Sequence, residues 1–164
     1  ANTGAVWAYG NSKVTPYTEQ FFVGGANSIR AFNARQIGPG SYRSSFRSRS
    51  YVEQTGDLKL QMNLEYRPHL LGSLYGAVFL DAGNVWTLHH DTAREGGQFV
   101  FKNAFKQMAL GTGVGLRYDI GYFMLRIDWG VGLHVPYNTG KRGLYNIAKF
   151  KDAQTLHLAI GLPF

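Results

Sequence analysis

The chain has 164 residues, the length of one domain or a piece of one. Hydrophobic residues make up 45%, yet no run approaches the ~18 apolar residues of a membrane helix. Zero cysteines excludes a disulfide framework and a thiolate metal site. Charged residues reach 16%, below the roughly 25% of soluble domains. The 17 Lys and Arg exceed the 10 Asp and Glu by 7, a balance that fits nucleic acid, anionic lipid headgroups or a charged interior. Ten Tyr, 11 Phe and 21 Gly suit a strand protein with aromatic belts. Residues 1–12 lack the apolar core of a signal peptide, so either a signal has been removed or the chain is an internal or C-terminal fragment.

Along the chain, residues 5–10 read as a strand, with 18–23 as its continuation or the start of a loop. Residues 11–56 then form one very long connection. Period-two alternation begins at 57–67, where Leu58, Leu60, Met62, Leu64 and Tyr66 face away from Lys59, Gln61, Asn63, Glu65 and Arg67. Residues 74–86 alternate less cleanly, with Val78, Leu80 and Trp86 opposite Asp81. In 107–118, Met108, Leu110, Val114, Leu116 and Tyr118 oppose Gly111, Gly113, Gly115 and Arg117. In 122–134, Phe123 to Leu133 in steps of two oppose Arg126, Asp128, Gly130 and Gly132. The last strand, 155–164, sets Leu156, Leu158, Ile160, Leu162 and Phe164 against His157 and Ala159.

A soluble sandwich alternates too. Three features favour a membrane-spanning sheet. The strands approach the ~9–11 residues that cross a bilayer. Their apolar faces end in aromatics (Tyr66, Trp86, Tyr118, Phe123, Phe164), as interfacial girdles do. Short connections at 69–73 and 119–121 also alternate with long ones at 87–105 and 135–153, matching tight periplasmic turns and long external loops. This arithmetic places the C-terminus on the periplasmic side. About six strands fit, fewer than the eight at which single-chain bacterial barrels start, and open edges are not tolerated in lipid. Partners or further sequence must therefore supply strands.

The long connection opens with FFVGGANSIRAF (21–32) and continues through RQIGPGSYR (35–43). These segments resemble the BamA/TamA superfamily of barrel-assembly proteins, also called the bacterial surface antigen family. In that family a glycine pair precedes an Arg-Gly-Phe core and an Ile-Gly-Pro segment follows. Gly24, Gly25, Ile29, Arg30, Phe32, Gly38 and Pro39 occupy those places. LEYRP (64–68), FLDAGNVW (79–86) and GLPF (161–164) resemble the family's later strands and its C-terminal insertion signal, so the likeness covers nearly the whole chain. The wording of the loop resembles that of a TamA-like member of the Bacteroidetes type. One departure is Ala31, where the family carries glycine. Alanine implies an ordinary backbone conformation or mild strain there.

The resemblance implies an all-β fold, namely the C-terminal portion of a transmembrane barrel of roughly sixteen strands whose long loop folds into the lumen. It also implies protein insertion or translocation at the bacterial outer membrane. Implied partners are lipid and lipopolysaccharide, the remaining barrel strands, periplasmic repeat domains, a periplasmic or inner-membrane assembly partner, and client barrel proteins. By strand parity Glu65 and Asp81 both face away from lipid, where an uncompensated carboxylate is costly. Arg30 can answer both through its forked guanidinium. On residue chemistry alone a surface arginine in a flexible loop is slightly the better account; the family pattern implies the pairing. The inner-face glycines suit either a floor beneath the loop or strand curvature. Gly161, Pro163 and Phe164 end the last strand. Pro163 lacks an N–H, which on its own merely ends the ladder, while the resemblance implies a weak lateral seam.

Other candidates carry less. Gly111, Gly113 and Gly115 lie within a strand rather than at the strand-to-helix turn of a nucleotide site. His89, His90 and Asp91 are adjacent and converge poorly on a metal, and Arg126 with Asp128 reads as interior charge. Arg43, Arg47 and Arg49 read as a solvated loop tip, in reach of lipopolysaccharide phosphates. The aromatics belong to the lipid face, which argues against nucleic acid. No catalytic constellation and no cofactor site is expected. The rival functions are a two-partner-type secretion transporter, a passive pore and an outer-membrane hydrolase barrel.

Overall fold

The structure is a computed structural model that describes residues 1–8, 15–43, 54–141, 143–147 and 149–161. Among the described residues seven strands make one sheet: β1 (Asn2–Ala5), β2 (Leu58–Tyr66), β3 (His69–Leu71), β4 (Leu74–Trp86), β5 (Ala109–Asp119), β6 (Met124–His134) and β7 (Gln154–Ile160). Their order is β1-β2-β4-β5-β6-β7, with the three-residue β3 beside the start of β4. Every ladder is antiparallel. The fold is all-β, with one short helix, α1 (Phe101–Ala104).

The sheet is inside out by the standards of a soluble protein. Its apolar face is open: Leu64 is 71% exposed and Ile127 46%, and Val78, Val114, Leu116, Leu156 and Leu158 are exposed as well. Its polar face is the buried one, holding Gln61, Asp81, Arg117, Arg126 and Asp128. In a sandwich a second sheet would cover Leu64 and Ile127. Here nothing among the described residues does, which is what a lipid-facing surface requires.

Residues 21–37 cover the polar face instead. Val23, Ile29, Ala31, Phe32 and Ile37 pack with Val85, Ala109, Val135, Ile147 and Ala153 into the apolar core. The core thus lies between a loop and the sheet. Connections 6–57, 87–108 and 135–153 share one end of the sheet, and 67–73 and 119–123 share the other.

Several expected boundaries shift. The first strand occupies Asn2–Ala5 rather than 5–10, because it pairs with Leu58–Gln61 and the ladder ends where the Val6 N–H donates to the Asp57 carbonyl at 2.8 Å. Of the two readings of residues 18–23, the start of a loop is the one found: a 3-10 turn, Tyr17–Glu19, and the isolated bridges Phe21 with Gly56 and Val23 with Ile37. The last strand ends at Ile160, followed by Gly161 at φ 101°. Pro163 and Phe164 lie outside the described residues. Trp86 is not a girdle residue. Residues 97–107 fold back over it, so that Phe99 meets its ring edge-on at 5.5 Å and Gln107 Oε1 accepts from its Nε1 at 2.8 Å.

Candidate functional site

The covering loop owes its shape to the residues of its motif. Gly24 and Gly25 have φ of 97° and 91°, and a Cβ on Gly24 would lie 2.1 Å from the Asn33 carbonyl oxygen. That close approach and the left-handed backbone together require glycine. The Gly25 N–H then donates to the Phe32 carbonyl at 2.7 Å, closing residues 25–32 into a tight protrusion. Ile29 and Phe32 anchor it in the core. Gly38, at φ 92°, lets the backbone pass Val85, since a Cβ there would sit 2.5 Å from Val85 Cγ2. Pro39 follows through a cis peptide bond. The Gly40 N–H donates to the Val85 carbonyl at 2.7 Å, fastening the far side of the loop to β4.

At the apex of the protrusion Arg30 is fully buried. Its Nε donates to Asp81 Oδ2 and its Nη2 to Asp81 Oδ1, each at 2.8 Å, a forked pair that fixes both groups in one plane. Its backbone N–H adds a third bond to Asp81 Oδ2 at 3.0 Å. The remaining Nη1 donates to Glu65 Oε2. The guanidinium carbon lies 3.7 Å from the centre of the Phe79 ring, a cation–π contact from beneath. Thr155 Oγ1 on β7 donates to the Arg30 carbonyl at 2.6 Å. One residue therefore ties the loop to β2, β4 and β7.

Uncharged groups complete the seat. Asn63 Nδ2 donates to Asp81 Oδ1 at 2.9 Å and to the Ser28 carbonyl at 2.8 Å. Ser28 Oγ donates to Gln61 Oε1 at 2.8 Å, and Gln61 Nε2 to Asn63 Oδ1 at 2.7 Å. A second charge cluster adjoins on β5 and β6. Arg117 Nη2 lies 2.6 Å from Asp128 Oδ1 and 3.3 Å from Glu65 Oε2, while Arg67 Nε reaches Glu65 Oε1 at 2.5 Å. Arg126 Nη2 donates to Asn27 Oδ1 at the loop tip. Gly115 makes room for this cluster, because a Cβ there would lie 2.4 Å from Asp128 Oδ1 and 2.6 Å from Arg117 Nη1.

The glycines opposite the apolar face are where the loop touches the sheet. A Cβ on Gly111 would lie 2.1 Å from Ala31 Cβ, one on Gly130 2.5 Å from the Arg30 carbonyl oxygen, and one on Gly132 2.9 Å from the Phe32 ring. Ala31 itself takes an ordinary backbone, since Arg35 is the described non-glycine residue with positive φ.

The structure thus brings Arg30, Glu65 and Asp81 into contact. It places Gly24, Gly25, Ile29, Phe32, Gly38 and Pro39 in the loop that presents the arginine, and Gly161 apart from them at the end of β7. Sequence reasoning placed Asn63 and Arg117 on the polar face but gave neither a part in the site, and it did not single out Phe79. Strand parity was the signal for Phe79, which sits two positions before Asp81 on the same face. Arg43 is exposed and stands over the Tyr137 ring at 4.3 Å, and Arg47 and Arg49 lie outside the described residues. In the 87–108 connection, Arg94 Nε lies 2.7 Å from Asp91 Oδ2 and holds that carboxyl below its usual range. No three His, Asp or Glu side chains among the described residues converge on a metal position.

An antiparallel sheet with an exposed apolar face and a charged face covered by a loop fits a transmembrane β-barrel protein of the outer-membrane type. The family model described as the Omp85 superfamily domain matches residues 1–164. The chain belongs to that superfamily, which includes the barrel-assembly proteins that its motifs resemble. Members act at the bacterial outer membrane in protein insertion or translocation.

Proposed function

We propose that this chain is the working part of an outer-membrane protein insertion factor of TamA-like type, in which the loop around Arg30 is held inside the barrel lumen. The observation that carries this reading is the full burial of Arg30 on two carboxylates of the sheet's polar face. A passive pore gains nothing from plugging its own lumen so firmly. The chemistry is mechanical: no bond is made or broken, and client barrel proteins are the substrate. β7, which ends at Ile160 and is followed in the sequence by Gly161, Pro163 and Phe164, forms one side of a seam that is weak near its periplasmic end. A free strand edge there can template an incoming strand by β-augmentation. Further barrel strands close the sheet, and periplasmic repeat domains with an assembly partner deliver clients.

The test is complementation by the full-length protein in cells depleted of it, reading the folded fraction of outer-membrane clients. The Asp81→Arg protein should reach the membrane yet fail to support client folding. Normal client folding with Asp81→Arg would overturn the pinned-loop reading. If clients fold normally but a secreted substrate stays inside the cell, the secretion-transporter alternative takes its place.

A further inference from the structure

We infer that Phe22, Arg35 and Lys59 form a binding site for an acidic segment of a client polypeptide, on the side of the covering loop that borders β1 and β2. The inference rests on the reading of this chain as an insertion factor and names the chemistry that its loop presents to a client.

Strand parity puts Lys59 on the polar face, where its register partners are Gly4 on β1 and Val85 on β4. Neither carries a charge. The neighbouring polar-face residues of β2 are committed elsewhere. Asp57 accepts from Gln20 Nε2 at 2.9 Å and from the Leu88 N–H at 3.0 Å, while Gln61 is bonded to Ser28 and Asn63. The other cations of that face, Arg30, Arg67, Arg117 and Arg126, each stand beside a carboxylate. Lys59 is half-buried and makes no ion pair among the described residues. An ammonium left so is costly until a counter-charge arrives. Lys59 also lines a recess of about 380 Å³, together with Gln20, Phe22, Gly25 and Asn27. Phe22 is 41% exposed and Asn27 is exposed, so the recess is open.

Phe22 links this lysine to a second cation. The Arg35 guanidinium carbon lies 4.9 Å from the centre of the Phe22 ring and 5.2 Å from that of Tyr17, contacts that hold the head group without neutralising it. Arg35 has φ 60°, a left-handed backbone that side chains resist, and its N–H is fastened to the Val23 carbonyl at 2.9 Å. Residues held against their backbone preference cluster at binding positions. Glu19 stands in the adjoining 3-10 turn, yet neither Arg35 nor Lys59 pairs with it. Two unanswered cations with an exposed ring between them fit an extended segment whose carboxylates alternate with apolar side chains. The ring takes the apolar group, and the guanidinium and ammonium take the acids. Polypeptide is what members of the superfamily insert or translocate. A phosphorylated lipid is kept from this side, because the opposite face of the sheet is the one turned to lipid.

The test titrates the full-length protein in phosphatidylcholine nanodiscs with two short peptides, one alternating glutamate with leucine and one alternating glutamine with leucine. Both are blocked at their ends and carry an uncharged fluorophore, and binding is read by anisotropy. The wild type should bind the glutamate peptide about tenfold tighter than the glutamine peptide. That preference should shrink in about 1 M salt, where screening is strong. Arg35→Gln with Lys59→Gln should bring the two peptides to parity, while Arg35→Lys with Lys59→Arg should keep the preference. Heat-modifiable migration checks that each variant is folded. Equal binding by the wild type, as a carboxylate of the barrel's own wall already seated on Lys59 would produce, overturns the inference. So does an undiminished preference in the Gln variant. Displacement of the glutamate peptide by acetate at equal carboxylate concentration would reduce the recess to a simple anion site and overturn it too. Normal client folding by a wild type that binds both peptides equally overturns the acidic-segment site alone and leaves the pinned loop standing.

Discussion

At the scale of single residues, Arg30 stands out because its removal and its replacement should differ in kind. Arg30→Ala leaves Asp81 and Glu65 buried with fewer counter-charges, and breaking a buried pair in this way costs about 3–5 kcal/mol. Arg30→Lys keeps the charge but has no fork, so it cannot satisfy both Asp81 oxygens while reaching Glu65. We expect Arg30→Lys to recover less than half of the stability lost in Arg30→Ala, measured by urea unfolding in lipid. Full recovery would show that charge alone holds the loop. A sharper prediction concerns Ala31 and Gly111. Gly111→Ala sets a Cβ 2.1 Å from that of Ala31 and should loosen the loop, while Ala31→Gly should remove the clash. The double variant should regain stability with a coupling of about 1–3 kcal/mol. Additive effects would mean that the two residues do not meet in the folded protein.

At the scale of elements, the strands set the side chains and the side chains set the solvent. β7 is the clearest case, with Leu156, Leu158 and Ile160 exposed and Thr155, His157 and Ala159 half-buried between them. Leu158→Arg should destabilise a lipid-embedded sheet by about 2–4 kcal/mol, the cost of a cation near the bilayer midplane. In a soluble sheet the same exposed position would tolerate arginine almost freely, so a silent Leu158→Arg in bilayer refolding would refute the lipid face. This alternation was legible in the sequence because parity is a local property. The covering of Trp86 was not, since its parity is that of a girdle residue and only the return path of residues 97–107 buries it. The displacement of β1 had the same origin: its position depends on pairing with Leu58–Gln61, far along the chain. Likewise Glu65 and Asp81 could be assigned to the polar face by parity, but their link to Arg30 came from family resemblance. No local rule connects residue 30 to residue 81.

At the scale of the whole molecule, the loop and the sheet form one object whose interior is built by a segment that is no part of the sheet. Deleting residues 25–40 therefore tests more than a loop. It removes Ile29, Ala31, Phe32 and Ile37 from the core, strips Asp81 of Arg30, and exposes the glycines of β5 and β6. A barrel that merely conducts would widen and keep its stability, because its wall is complete without the plug. For an assembly factor the same deletion should raise single-channel conductance and also abolish client folding, with the melting temperature of the barrel falling as well. The two readings separate on the second measurement, not the first, since both predict a wider pore. Client folding at the wild-type level with raised conductance would favour the pore. Loss of folding with unchanged conductance would mean that the loop lies outside the conducting path, and the charged face of β2, β4 and β5 would then need another occupant to answer Asp81 and Glu65.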